Sequence, residues 1–112
     1  MNVRRVAATA AILGFVLLHA ERSTAAPEYR MAIINHHFDP PELEVPAGQR
    51  IKLLVDNRDP TPEEFESYDL DREKVIPAGT TGAIFIGPLE PGRYEVFGDF
   101  HPDTTRGHII SK

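Results

Sequence analysis

Glu42-Leu43-Glu44-Val45-Pro46-Ala47-Gly48-Gln49-Arg50-Ile51-Lys52-Leu53-Leu54-Val55 is the stretch that decides the fold. Leu43 and Val45, then Ile51, Leu53 and Val55, fall two apart, with Glu42, Glu44 and Lys52 between them. A period of two sends the apolar set to one face of an extended chain and the charged set to the other. Between the halves, Pro46-Ala47-Gly48 places Pro early and Gly late, which is turn chemistry. The stretch therefore reads as two half-buried strands closed by a turn.

Working outward, the same solution recurs. Pro77-Ala78-Gly79 repeats the turn, and Pro91-Gly92 matches a type II turn with Gly where φ must be positive. Short apolar segments closed by Pro or Gly lie at 29–35, 42–45, 50–55, 74–76, 82–86, 93–97 and 107–111. Tyr94 and Val96 continue the alternation, with Arg93 and Glu95 opposite. About seven strands and few helical segments predict an all-β sandwich.

Counting removes several functions. With 112 residues there is room for one domain, and with no cysteine there can be no disulfide framework, Cys zinc site, iron-sulfur cluster or cysteine nucleophile. A formal charge of −5 opposes nucleic-acid binding, which needs positive surface against phosphates. No glycine-rich phosphate loop is present, and Ser67 and Ser111 lack the setting of a nucleophile elbow. A zinc hydrolase would need a general base beyond the acids considered below.

Residues 1–25 read as a secretory signal peptide: Arg4 and Arg5, an apolar run over 6–18, and small residues Ser23-Thr24-Ala25 at the cleavage site. The run is too short for a membrane span, which takes roughly 20 apolar residues. Residues 26–112 are then the mature domain, exported to the periplasm and not inserted in the membrane. Without Arg4, Arg5, Arg22 and Glu21 it keeps 9 basic and 16 acidic residues, a charge of −7. A small exported domain without disulfides must rely on sheet packing, a metal, or both.

Three clusters carry metal-binding chemistry. Thr61-Pro62-Glu63-Glu64 suits a helix start, with Thr61 as N-cap and Glu64 closing a capping box. An extended Glu64-Phe65-Glu66 would instead bury Phe65 and set Glu64 and Glu66 side by side. Asp99 and His101 lie two apart after the strand at 93–97. At Asn35-His36-His37-Phe38, alternation from a buried Phe38 turns His37 away and leaves His36 on the inner face. Mixed imidazole and carboxylate donors fit copper(II), iron or zinc better than copper(I). Met31 reads as core, and His108 as exposed beside an inward Ile109.

Phe38-Asp39-Pro40-Pro41-Glu42-Leu43-Glu44-Val45-Pro46-Ala47-Gly48, followed by Val55-Asp56-Asn57, resembles the opening of cupredoxins, Greek-key β-sandwiches with copper at one end. Thr61 through Ser67, Glu73 through Gly79, and Phe97-Gly98-Asp99-Phe100-His101-Pro102 resemble the cupredoxin-like periplasmic proteins of bacterial ferrous-iron uptake systems. That resemblance implies a copper or iron ion, assistance in ferrous iron oxidation or handover, and two partners: a periplasmic iron-binding protein and a membrane iron permease. Relative to the electron-carrying cupredoxins, Glu64 or Glu66 stands near the place of the early His ligand and Gly98 near that of the Cys, while His101 aligns with a ligand. The site implied is one of oxygen and nitrogen donors drawn from Glu64, Glu66, Asp99, His101 and His36. Without a thiolate, the blue-copper mode of electron transfer is not expected. The competing expectation is a metal-free interaction module that docks a periplasmic or membrane partner.

Overall fold

The computed structural model describes residues 25–112 together with Gly14, so the signal-peptide reading falls outside the described residues. Nine strands form: β1 (Glu28–Ile34), β2 (His37–Asp39), β3 (Glu42–Val45), β4 (Ile51–Asn57), β5 (Glu63–Ser67), β6 (Arg72–Ile76), β7 (Thr81–Ile86), β8 (Gly92–Gly98) and β9 (Arg106–Ser111). One sheet has the order β2-β1-β4-β7 and the other β3-β9-β8-β5-β6. The chain passes back and forth between them as a Greek-key, all-β sandwich. Two pairings are parallel, β1 with β4 and β3 with β9.

The alternation that begins at Glu42 does its work in the core. Val45, Ile51, Leu53 and Val55 are buried and pack with Met31, Ile33, Phe38, Phe65, Ile76, Ile84, Ile86, Val96 and Ile109 between the sheets. Gly48 and Gly79 take φ of 69° and 67°, as their turns require, but Gly92 does not. It is already the first residue of β8, paired with Ser111, and the positive φ in this region belongs to Gly87 at 84°.

The two strands beyond the expected seven are β2 and β5. Strand β2 is three residues long, too short to show a period, and is defined by pairing Ile34 through Ala32 with His37 through Asp39. Strand β5 resolves the helix-or-strand ambiguity at Thr61 to Ser67. Phe65 is fully buried there. Burying a phenylalanine is worth about 1.5–3 kcal/mol, against about 1 kcal/mol for a helix cap. The Thr61 carbonyl, which would start the helix ladder, accepts instead from Asn57 Nδ2 at 3.0 Å. In this register Glu66 faces Phe97 on β8 and Glu73 on β6.

Candidate metal centre

One end of the sandwich gathers the β1–β2 turn, the entry to β5 and the loop after β8. The turn Asn35-His36 has two residues, with Ile34 paired to His37 and φ of 50° and 60°. Both central residues of such a turn need positive φ, which Asn tolerates and which normally calls for Gly at the second position. His36 is thus a turn residue, not a strand residue, and its Cβ sits in the left-handed region at a cost on the order of 1–3 kcal/mol. Buried Asp59 offsets this cost: its two oxygens accept the amides of Asn35 at 2.6 Å and His36 at 2.9 Å. Asp59 is held in turn by Asn57, whose Oδ1 accepts the Asp59 amide at 3.0 Å. From the far side, Thr105 Oγ1 donates to the His36 carbonyl at 2.7 Å.

Glu63 opens β5 pointing inward, on the same face as Phe65 and only 1% exposed. Its Oε1 accepts the amides of Phe100 at 2.9 Å and Glu64 at 3.1 Å. Its Oε2 lies 2.6 Å from His101 Nδ1. His101 is fixed by the turn after β8, where its carbonyl accepts the amide of Thr105 at 2.9 Å. Its ring stacks on that of His36, with centroids 3.6 Å apart and planes 17° from parallel.

Ligand atoms of His36, Glu63 and His101 all lie within 4.8 Å of one another. An ion bonded at about 2.0–2.2 Å holds its donors up to roughly 4 Å apart, so small side-chain movements suffice. His36 Nδ1 is buried and makes no hydrogen bond, but it faces Asp59 Oδ2 at 3.3 Å, an ion pair when the ring is protonated. Two imidazoles and one carboxylate suit copper(II), iron or zinc.

A second triad lies on the other face of β5. Glu64 and Glu66 stand side by side, half-buried, and Asp99 joins them from the loop, again within 4.8 Å. The Asp99 amide donates to the Glu64 carbonyl at 2.9 Å. Partial burial, then the Asp99 carboxylate, then neighbouring glutamates, push both Glu64 and Glu66 above the ordinary glutamate range.

The five residues picked from the sequence are therefore distributed over two clusters. His36 and His101 meet on the inner side; Glu64, Glu66 and Asp99 meet on the outer side. Alternation along β5 separates them. Glu63 and Asp59 join the site although the sequence pattern alone does not single them out. For Glu63 a signal existed, because it shares the inward face of Phe65 at a spacing of two. For Asp59 there was none, since its role depends on a turn 24 residues earlier. Of the remaining candidates, His37 is exposed, His108 is half-buried beside buried Ile109, and Met31 is in the core.

The model of the cupredoxin-like domain family matches residues 7–111. The chain belongs to that family. A Rickettsia prowazekii (strain Madrid E) protein designated RP394, itself uncharacterized, is 48% identical over 83 residues; the match takes in 74% of this cupredoxin-like chain but just under two thirds, 66%, of the relative. Among solved structures, the metal-binding domain of the Streptococcus pneumoniae D39 Cu(I)-exporting P-type ATPase CopA, with Cu(I), is similar at a TM-score of 0.68 and 15% identity, covering 76% of this chain and 84% of that one. Auracyanin A, a blue copper protein from Chloroflexus aurantiacus, aligns at 0.68 and 12% over 79% of this chain and 100% of its own. A reduced amicyanin variant aligns at 0.60 and 21%, covering 79% and 83%. At these identities the likeness is one of fold, and this cupredoxin-like chain has no cysteine to supply a thiolate.

Proposed function

We propose that this protein is a thiolate-free cupredoxin that binds copper or iron through His36, Glu63 and His101, and assists ferrous iron oxidation or handover to an iron permease in the periplasm. The observation that carries the metal-binding reading is the convergence of ligand atoms of His36, buried Glu63 and His101 within 4.8 Å of one another. The leader-like residues 1–25 and the acidic balance of the remainder support an exported protein that attracts cations. The resemblance of residues 61–67, 73–79 and 94–103 to iron-uptake cupredoxins supports the iron role, with a periplasmic iron-binding protein and a membrane permease as partners.

The division of labour follows from the residues. Bound copper(II) would supply a one-electron acceptor for ferrous iron. His36 and His101 would hold the ion by nitrogen and Glu63 by Oε2, because Oε1 is already taken by two amides. Asp59 and Thr105 keep the His36 turn in place, so the imidazole is oriented before an ion arrives. Glu64, Glu66 and Asp99 make the approach to this end of the sandwich negative.

A second reading, a metal-free interaction module, draws on the 2.6 Å contact in which Glu63 and His101 satisfy each other without an ion. Calorimetric titration of the purified protein with copper(II) and ferrous iron, repeated on Glu63→Ala and His101→Ala, separates the two. Binding by the parent that both variants lose supports the metal reading. No heat of binding in the parent supports the module.

A further inference from the structure

Gly98, the last residue of β8, has an ordinary φ, so its backbone does not call for glycine. Space does. A Cβ placed there would lie 2.6 Å from Glu63 Cδ, 2.7 Å from Glu63 Oε1 and 2.7 Å from Thr105 Cγ2, closer than any such contacts in real proteins. Flexible side-chain ends can usually give way, but these cannot do so cheaply. Glu63 is tied by the Phe100 and Glu64 amides and by His101. Thr105 is fully buried and holds the His36 carbonyl. A side chain at 98 would therefore crowd one candidate ligand, held in place by its hydrogen bonds, and strain the support of another.

From this we infer that Gly98 and Glu63 act together as the specificity-determining pair of the metal site: the hollow left by Gly98 seats the Glu63 carboxylate, so the site presents one hard oxygen to the ion and has no room for a side chain, a thiol included, from β8. The inference rests on the proposed metal-binding function and adds which ions it takes. A carboxylate oxygen with two imidazoles favours copper(II) or iron over copper(I), whose preferred ligands are thiolate and thioether. The side chain that could offer sulfur and the one that offers oxygen compete for the same volume, so donor type is set by a choice between them.

The test uses the whole protein, titrated with copper(II) and, anaerobically, with copper(I), alongside Gly98→Ala, Gly98→Cys and the double variant Glu63→Ala/Gly98→Cys. The parent is expected to bind copper(II) at least about tenfold more tightly than copper(I), and Gly98→Ala to lose about tenfold or more in copper(II) affinity. Gly98→Cys alone should show no thiolate-to-copper(II) absorption, whereas the double variant gains that band and copper(I) binding. Because the single variants could simply unfold, melting temperatures are read in parallel. The destabilisation by Gly98→Ala should shrink when Glu63 is also alanine, a coupling that needs no metal. Equal affinity of the parent for both ions, a thiolate band in Gly98→Cys with Glu63 in place, or additive melting shifts would overturn the inference while leaving the proposed function standing. A parent that binds neither ion overturns the proposed function itself.

Discussion

The inner triad of His36, Glu63 and His101 and the outer triad of Glu64, Glu66 and Asp99 share β5 and the loop after β8, the inner one adding the β1–β2 turn, yet they differ in nearly every physical respect. The inner one is two imidazoles and a buried carboxylate, braced by Asp59, Asn57 and Thr105. The outer one is three carboxylates that repel one another. One residue of register along β5 divides a braced donor set from a self-repelling one. Proximity of acids is thus not what distinguishes a site here; pre-arranged support is.

The strongest way to break this comparison is Glu63→Ala. Removing a buried partner leaves the Phe100 and Glu64 amides and the His101 ring unmatched, at a cost of about 3 kcal/mol in stability. Urea unfolding should show that loss, and calorimetry should show copper(II) binding gone. A variant that still binds as the parent does would make the inner triad an ordinary ion pair. Next in size is Asp59→Ala, which removes no ligand but frees the Asn35 and His36 amides and removes the carboxylate facing His36 Nδ1. The expected results are about 1–3 kcal/mol of lost stability and a 10–100-fold loss in copper(II) affinity.

The outer triad should respond in the opposite sense. Glu64→Gln and Glu66→Gln remove repulsion and should raise the melting temperature slightly at pH 7, with copper(II) affinity at equilibrium unchanged within a few-fold. Stopped-flow association should be slower and less dependent on salt, as expected when steering charge is removed.

The smallest effects are in pH dependence, and the two kinds of carboxylate again diverge. Glu64 and Glu66 are raised by partial burial and by Asp99, so the folded state holds their protons more tightly than the unfolded chain does. Stability from these groups is present at acid pH and is lost as pH rises through their folded values. Asp56, on the other sheet, is lowered first by the Thr81 hydroxyl and then by Arg30 and Arg58, despite partial burial. Its contribution is present at neutral pH and is lost as pH falls through its folded value. Melting curves from pH 3 to 7 on Glu66→Gln and Asp56→Asn should therefore shift in opposite directions relative to the parent.

Much of the fold could be read because period-two alternation is a local property: Leu43, Val45, Ile51, Leu53 and Val55 reveal their strands without help from the rest of the chain. The same is true of the Gly48 and Gly79 turns. The site resisted reading because its residues depend on distant partners. The entry to β5 carries a sound helix-start pattern in which Glu64 closes the cap and Glu63 has no assigned role, and burial of Phe65 in the core between the sheets decides against it. His36 adopts a conformation for which glycine is the usual sign, and the residue that makes this tolerable, Asp59, is on another strand's exit loop. Gly92 shows the converse: a good turn dipeptide absorbed into a strand because its pairing with Ser111 takes precedence.

The bond from Thr105 to the His36 carbonyl spans 69 residues, and the one from His101 to Glu63 spans 38. The first requires the segment leading into β9 to have reached the β1–β2 turn, and the second requires β8 to have paired with β5. A freshly made or unfolded chain therefore carries scattered histidines and acids but no binding cavity, and cannot select an ion in transit. Under the proposed function an ion would be chosen where the polypeptide finishes folding, and the metal content of an exported chain would record the ion supply of that compartment.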